Sequence, residues 1–218
     1  MGFIGMANML AQQQVSYAAF AEALDDVLEE RDVPESPAYY LASKFNEAVA
    51  AAASIARAAR MDRCFAVAPT ATCAYRYTDQ RGYTTTPEIA PPIARAVDRD
   101  SGTFGVSSYE YPPDVEIAEE VGWETYFKFS NLMCKMLERT GLFHGYSFNS
   151  WSDQIAYDDD FIQRWLDSSL TSVYYSLQVQ TDTQRKDSVV ELLDDGYKFI
   201  FDDMDIDMAD NFCVSCAE

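Results

Sequence analysis

Cys64-Phe65-Ala66-Val67-Ala68-Pro69-Thr70-Ala71-Thr72-Cys73 passes from a short apolar run, through a proline, into small and hydroxyl-bearing residues. The apolar run Cys64 to Ala68 is predicted to be a buried strand, because proline lacks the N–H that a strand ladder needs and so ends it. The stretch after the strand has two readings. It is a plain strand-to-loop turn, or it is an oxyanion site in which backbone N–H groups and the Thr hydroxyls meet a phosphate. No Gly-rich signature and no Lys-Ser/Thr pair is present, which excludes a P-loop.

Upstream of this strand the sequence reads as helix. Ser36-Pro37 is a good N-cap and first-turn pair, and Leu41, Phe45, Val49, Ala52, Ile55 and Ala59 then recur at helical spacing. A long helix buried on one face is expected. Tyr17 to Arg31 reads as a second helix and Gly2 to Gln14 as a third. The last of these starts abruptly inside an amphipathic pattern, as expected of a chain cut from something larger.

Downstream, residues 69–118 hold six of the eight prolines and are expected to be irregular connecting structure with a functional surface. Helix returns over Glu119 to Arg139, with Tyr126, Phe129, Met133, Met136 and Leu137 on one side and Gly141 as the stop. Gly145 to Asn149 is a candidate strand, Asp159 to Ser169 a helix, and Thr171 to Gln180 a run of β-formers. Alternating strand and helix predicts an α/β fold with parallel βα units.

The 218 residues suffice for a sizeable core, and 36 acidic against 16 basic side chains give a net charge of −20. That charge opposes binding to nucleic acid or an anionic membrane. No apolar run is long enough to span a bilayer and no signal peptide is visible, so a cytoplasmic protein is expected. Five scattered Cys argue against a disulfide framework, and a single His, His144, argues against a His-rich metal site. From Asp194 to the end there are eight carboxylates and one Lys, which reads as a flexible acidic tail. A folded domain over 1–202 and a tail over 203–218 are the expected units.

Two further places carry candidate chemistry. Tyr174-Tyr175 lies within the last predicted strand, where neighbours point to opposite faces. One Tyr is then in the core and one outside, or the two phenols act as a redox pair. Cys213-Val214-Ser215-Cys216 lies within the acidic tail. No second Cys or His pair completes a zinc site, which leaves an incidental pair or a dithiol that closes to a disulfide.

Together, in this order, the three places resemble the C-terminal part of the large, catalytic subunit of ribonucleotide reductases. Gly2-Phe3-Ile4-Gly5-Met6-Ala7-Asn8-Met9-Leu10-Ala11 is similar to the family's Gly-hydrophobic helix. Pro69-Thr70-Ala71-Thr72 matches its phosphate loop, and Thr86-Pro87-Glu88-Ile89-Ala90-Pro91-Pro92 is a looser version of its Ile-Glu-Pro element. Ser172-Val173-Tyr174-Tyr175 resembles the class I tyrosine dyad, and Cys213 and Cys216 match the C-terminal shuttle cysteines.

The resemblance implies the later strands of a ten-stranded α/β barrel that reduces the ribose 2′-hydroxyl by radical chemistry. Thr70, Ala71, Thr72 and Cys73 would hold the substrate phosphates, with Cys73 where the family has Ser or Thr. Tyr174 and Tyr175 would relay the radical, and Cys213 and Cys216 would re-reduce an active-site disulfide. The chain itself would bind no metal or cofactor; the radical-generating metal centre would sit on a separate small subunit.

The family's Asn-x-Cys-x-Glu loop and its two disulfide-forming cysteines are absent here. That implies a split enzyme whose partner chain, the N-terminal half of the catalytic subunit, brings them. Thioredoxin or glutaredoxin and a ribonucleotide substrate complete the implied partners. The dyad favours class I over the cobalamin-dependent class. Other expectations are a non-catalytic module that binds a phosphorylated ligand or assembles with a partner, and an independent thiol oxidoreductase. The latter normally has its Cys-x-x-Cys at the start of a helix.

Overall fold

The computed structural model describes residues 1–100 and 105–179, and a three-stranded sheet runs through its centre. The strands are β1 (Arg63–Val67), β4 (Phe143–Trp151) and β5 (Ser172–Leu177), in the order β1-β4-β5. Both neighbouring pairs are parallel, as the alternation of strand and helix predicts. Among the described residues this sheet is open and does not close on itself. The fold is therefore mixed α/β.

The helices form because their ends are capped and one face of each is apolar. Ser16 Oγ accepts the Ala19 N–H at 3.1 Å to start α2 (Tyr17–Leu28). Ser36 Oγ does the same with Tyr39 N–H at 3.1 Å, with Pro37 in the first turn, to start α3 (Pro37–Ala58). The buried face of α3 is built on Ala42, Val49, Ala53 and Ala56. Ile55, expected in the core, is 72% exposed; in so Ala-rich a helix small residues form the close-packed seam, and apolar spacing alone misplaces the stripe.

Helix α6 (Trp123–Glu138) packs Tyr126, Phe129, Met133, Met136 and Leu137 into the core, as expected. Its predecessor α5 (Ala118–Val121) is separated from it by Gly122 at φ 72°. The single helix read over Glu119 to Arg139 is therefore two, because a left-handed residue breaks the hydrogen-bond ladder. Arg57 donates to Thr140 O and Arg139 to Leu28 O. Two cations thereby satisfy carbonyls at the C-terminal ends of α6 and α2. Between β4 and β5, α7 (Asp159–Leu166) is capped by Asp158, whose Oδ1 accepts the Phe161 N–H at 2.9 Å.

Two expectations about irregular chain are corrected. Residues 96–110 contain an antiparallel pair, β2 (Ala96–Asp100) with β3 (Val106–Glu110). The helix α1 (Met6–Gln12) begins four residues later than the apolar pattern suggests. Before it, Met1 N donates to Cys64 O at 2.6 Å and Met1 O accepts Ala66 N–H at 2.8 Å, which adds the N-terminal residue to β1 as a parallel neighbour. Two glycines permit this path. A Cβ on Gly2 would lie 2.9 Å from Ala66 O, and Gly5 has φ +72° with Thr85 Cγ2 only 2.9 Å from any Cβ.

No helix among the described residues is long and apolar enough to cross a membrane.

Candidate functional site

The strand β1 ends at Val67, and Pro69-Thr70 leads into the single turn α4 (Ala71–Ala74). This turn lies at the C-terminal end of a parallel strand, where open α/β sheets commonly bind ligands. Thr70 Oγ1 accepts the backbone N–H of Glu88 at 3.0 Å. Thr72 Oγ1 accepts from Arg99 Nη1 at 3.2 Å, and the same guanidinium lies 5.5 Å from the centroid of Tyr75, which in turn stacks on Tyr109. Cys73 is an exposed free thiol. The four residues Thr70, Ala71, Thr72 and Cys73 thus share one turn, held on one side by Glu88 and on the other by Arg99 from β2.

Glu88 is the hub of the arrangement. It is a non-glycine residue at φ 49°, a backbone state that costs free energy and persists where the surroundings demand it. Its side chain is 3% exposed. Asn149 Nδ2, from β4, donates to its Oε2 at 3.0 Å. Burial pushes the Glu88 carboxyl up to about 7, and the Asn149 hydrogen bond opposes that only in part. The other polar atom of the amide, Asn149 Oδ1, is buried without a hydrogen-bond partner. Burial first, and then the Glu88 charge, raise the Tyr126 phenol.

Further buried polar contacts tie the neighbouring segments together. Tyr146 Oη donates to Ser130 Oγ at 2.8 Å. Asn8 of α1 accepts Thr86 N–H at 2.7 Å and donates to Thr84 O at 3.0 Å and to Asp79 Oδ2 at 3.1 Å. Tyr17 Oη donates to Ile89 O at 2.9 Å. Segment 84–89 is therefore fixed from both helices, which is what holds Glu88 in its left-handed backbone.

Tyr174 and Tyr175 lie in β5, and the ladder there is irregular. Phe148 pairs with Val173 and Asn149 with Tyr175, so the register steps over Tyr174. The expectation that adjacent tyrosines point to opposite faces assumes an unbroken strand. A bulge removes that assumption, and bulges occur often beside functional sites, where they re-aim side chains. Tyr174 is 46% exposed. Tyr175 is the register partner of the same Asn149 that binds Glu88. Cys213 and Cys216, with the whole predicted tail over 203–218, lie outside the described residues.

Sequence reasoning missed Glu88 as a hub and did not single out Asn149, Tyr126 or Arg99. One signal was available. Pro87-Glu88-Ile89-Ala90-Pro91-Pro92 places a lone carboxylate inside an apolar, proline-rich run, where burial of the acid is the natural consequence. No family model matches the chain, and no match among curated proteins is found.

Proposed function

We propose that the chain is the C-terminal part of a ribonucleotide reductase catalytic subunit, contributing the later strands of an α/β barrel and acting only with a partner chain. The observation that carries this reading is a continuous connection. Thr70 is bonded to Glu88, Glu88 to Asn149, and Asn149 is the register partner of Tyr175. A phosphate-binding turn and a tyrosine pair on parallel strands of one sheet are what nucleotide reduction by a transferred radical needs.

In this reading Thr70, Ala71, Thr72 and Cys73 hold the substrate phosphates, with the Arg99 guanidinium beside Thr72 adding positive charge. Tyr174 and Tyr175 pass an electron hole between a small subunit, which holds the radical-generating metal centre, and a cysteine on the N-terminal half of the catalytic subunit. Cys213 and Cys216 return two electrons to the active-site disulfide by thiol exchange and are themselves recharged by thioredoxin or glutaredoxin.

The test is reconstitution. The chain is mixed with the product of the adjacent gene, a small subunit, a thioredoxin system and a ribonucleotide. Deoxyribonucleotide is expected only when every component is present. Nucleotide binding without any turnover in the complete mixture would instead leave a phosphate-ligand binding module.

A further inference from the structure

Glu88 is the only acidic or basic side chain fully buried among the described residues. Three elements face it: Asn149 from β4, the Tyr126 phenol from α6, and Thr70 from the turn after β1. None of the three bears a charge at neutral pH. An ionised carboxylate in that position has no cation to offset its lost hydration and only one amide N–H to stabilise it.

Asn149 presents the complementary problem. Its Nδ2 is used, but its Oδ1 is buried without a partner, and an amide oxygen can only accept. A neutral carboxyl carries an O–H. It can donate to the amide oxygen while it accepts from the amide nitrogen, so one proton answers both problems. The backbone of the same residue holds the ligand turn, through its N–H on Thr70.

We propose that Glu88 is a positioning residue, paired with Asn149 as a neutral acid with an amide, and that this pair sets the geometry of the turn carrying Thr70 to Cys73. The binding of an anionic ligand at that turn then follows the protonation of one buried carboxyl. The inference rests on the nucleotide reading only for the identity of the ligand. Because burial holds the carboxyl near neutrality, the pair is intact below neutral pH and is lost above it.

The experiment uses the full chain, Glu88→Gln and Glu88→Ala. Amide hydrogen exchange at Ala74 and Tyr75, whose N–H groups bond Thr70 O and Ala71 O across the turn, is followed against pH after correction for intrinsic rates, and the affinity for CDP is measured by calorimetry on the same samples. Gln mimics the neutral acid, since it too donates and accepts. Wild-type protection is expected to fall about tenfold between about pH 6 and about pH 8. Glu88→Gln should stay protected throughout, and Glu88→Ala should be poorly protected at every pH. Protection in wild type that does not change with pH overturns the proposal, as does a Gln variant that tracks the wild type. CDP affinity that rises and falls with protection supports both readings. Protection that depends on pH, with no CDP binding, keeps the positioning role and removes the nucleotide.

Discussion

Asn149 and Tyr175 are register partners in the parallel ladder of β4 and β5, directly after the point where the pairing steps over Tyr174. Asn149 also spends its side-chain N–H on Glu88, whose own N–H binds Thr70. One residue therefore couples an irregular strand to a ligand turn eighteen positions upstream of Glu88. That connection, and the two glycines that let the N-terminal residues run beside β1 into α1, are where the fold is most open to test.

Raising the pH should weaken the folded state through Glu88. Its carboxyl is moved from 4.5 to about 7, so the native chain holds a proton that the unfolded chain has released. The stability it contributes is full below pH 4.5 and lost as pH rises through about 7. The loss amounts to about 3 kcal/mol for a shift of this size. Urea unfolding from about pH 5 to about pH 8 should show it in wild type and not in Glu88→Gln.

Gly5→Ala should destabilise by about 2 kcal/mol, since the position needs a left-handed backbone and leaves no room for a methyl beside Thr85. Urea midpoints should fall without a change in slope. An unchanged midpoint would mean that α1 can enter the fold by another path.

Arg99→Ala should weaken binding of a nucleoside diphosphate about tenfold, because it removes the guanidinium beside Thr72. Arg99 is half-buried on β2, outside the three-stranded sheet, so the melting temperature should move little. Calorimetry and thermal unfolding on one preparation separate the two effects.

Tyr174→Phe or Tyr175→Phe should abolish turnover in the reconstituted mixture and leave assembly intact, since Phe keeps the ring and removes only the phenolic hydroxyl. Loss of assembly would instead make the pair structural. Cys213→Ser or Cys216→Ser should allow about one turnover and then stall. Sustained turnover with thioredoxin as sole reductant would remove the shuttle role.

Elements with strong local signals were legible in the sequence. Ser36-Pro37 announces α3, and the apolar stripe of α6 announces its buried face. The strand ended by Pro69 and the β-rich run at Thr171 to Gln180 announce two strands of the parallel sheet. What was not legible depends on long-range geometry. A bulge at Tyr174 exists only relative to β4, and the β2–β3 pair is short and polar, set between the Pro91-Pro92 and Pro112-Pro113 pairs, with little apolar alternation to announce it. The apolar run around Glu88 hints at its burial, but the clamp on its loop by Asn8, Tyr17 and Thr70 is visible only in the fold. No property of residues taken singly reports that clamp.

Tyr126 stacks on Trp151 at 4.8 Å and on Phe148 at 5.1 Å; Trp165 lies against Phe148 at 5.7 Å and Trp123 against Phe161 at 6.0 Å. All three tryptophans of the chain thus belong to a single cluster of rings on β4, α6 and α7. Tryptophan emission, excited apart from the tyrosines, is therefore a local probe: it reports the neighbourhood of those three elements and not a separate loosening of α3, which carries no tryptophan. A fluorescence transition that parts from the circular-dichroism transition would mark the boundary between two cooperative blocks.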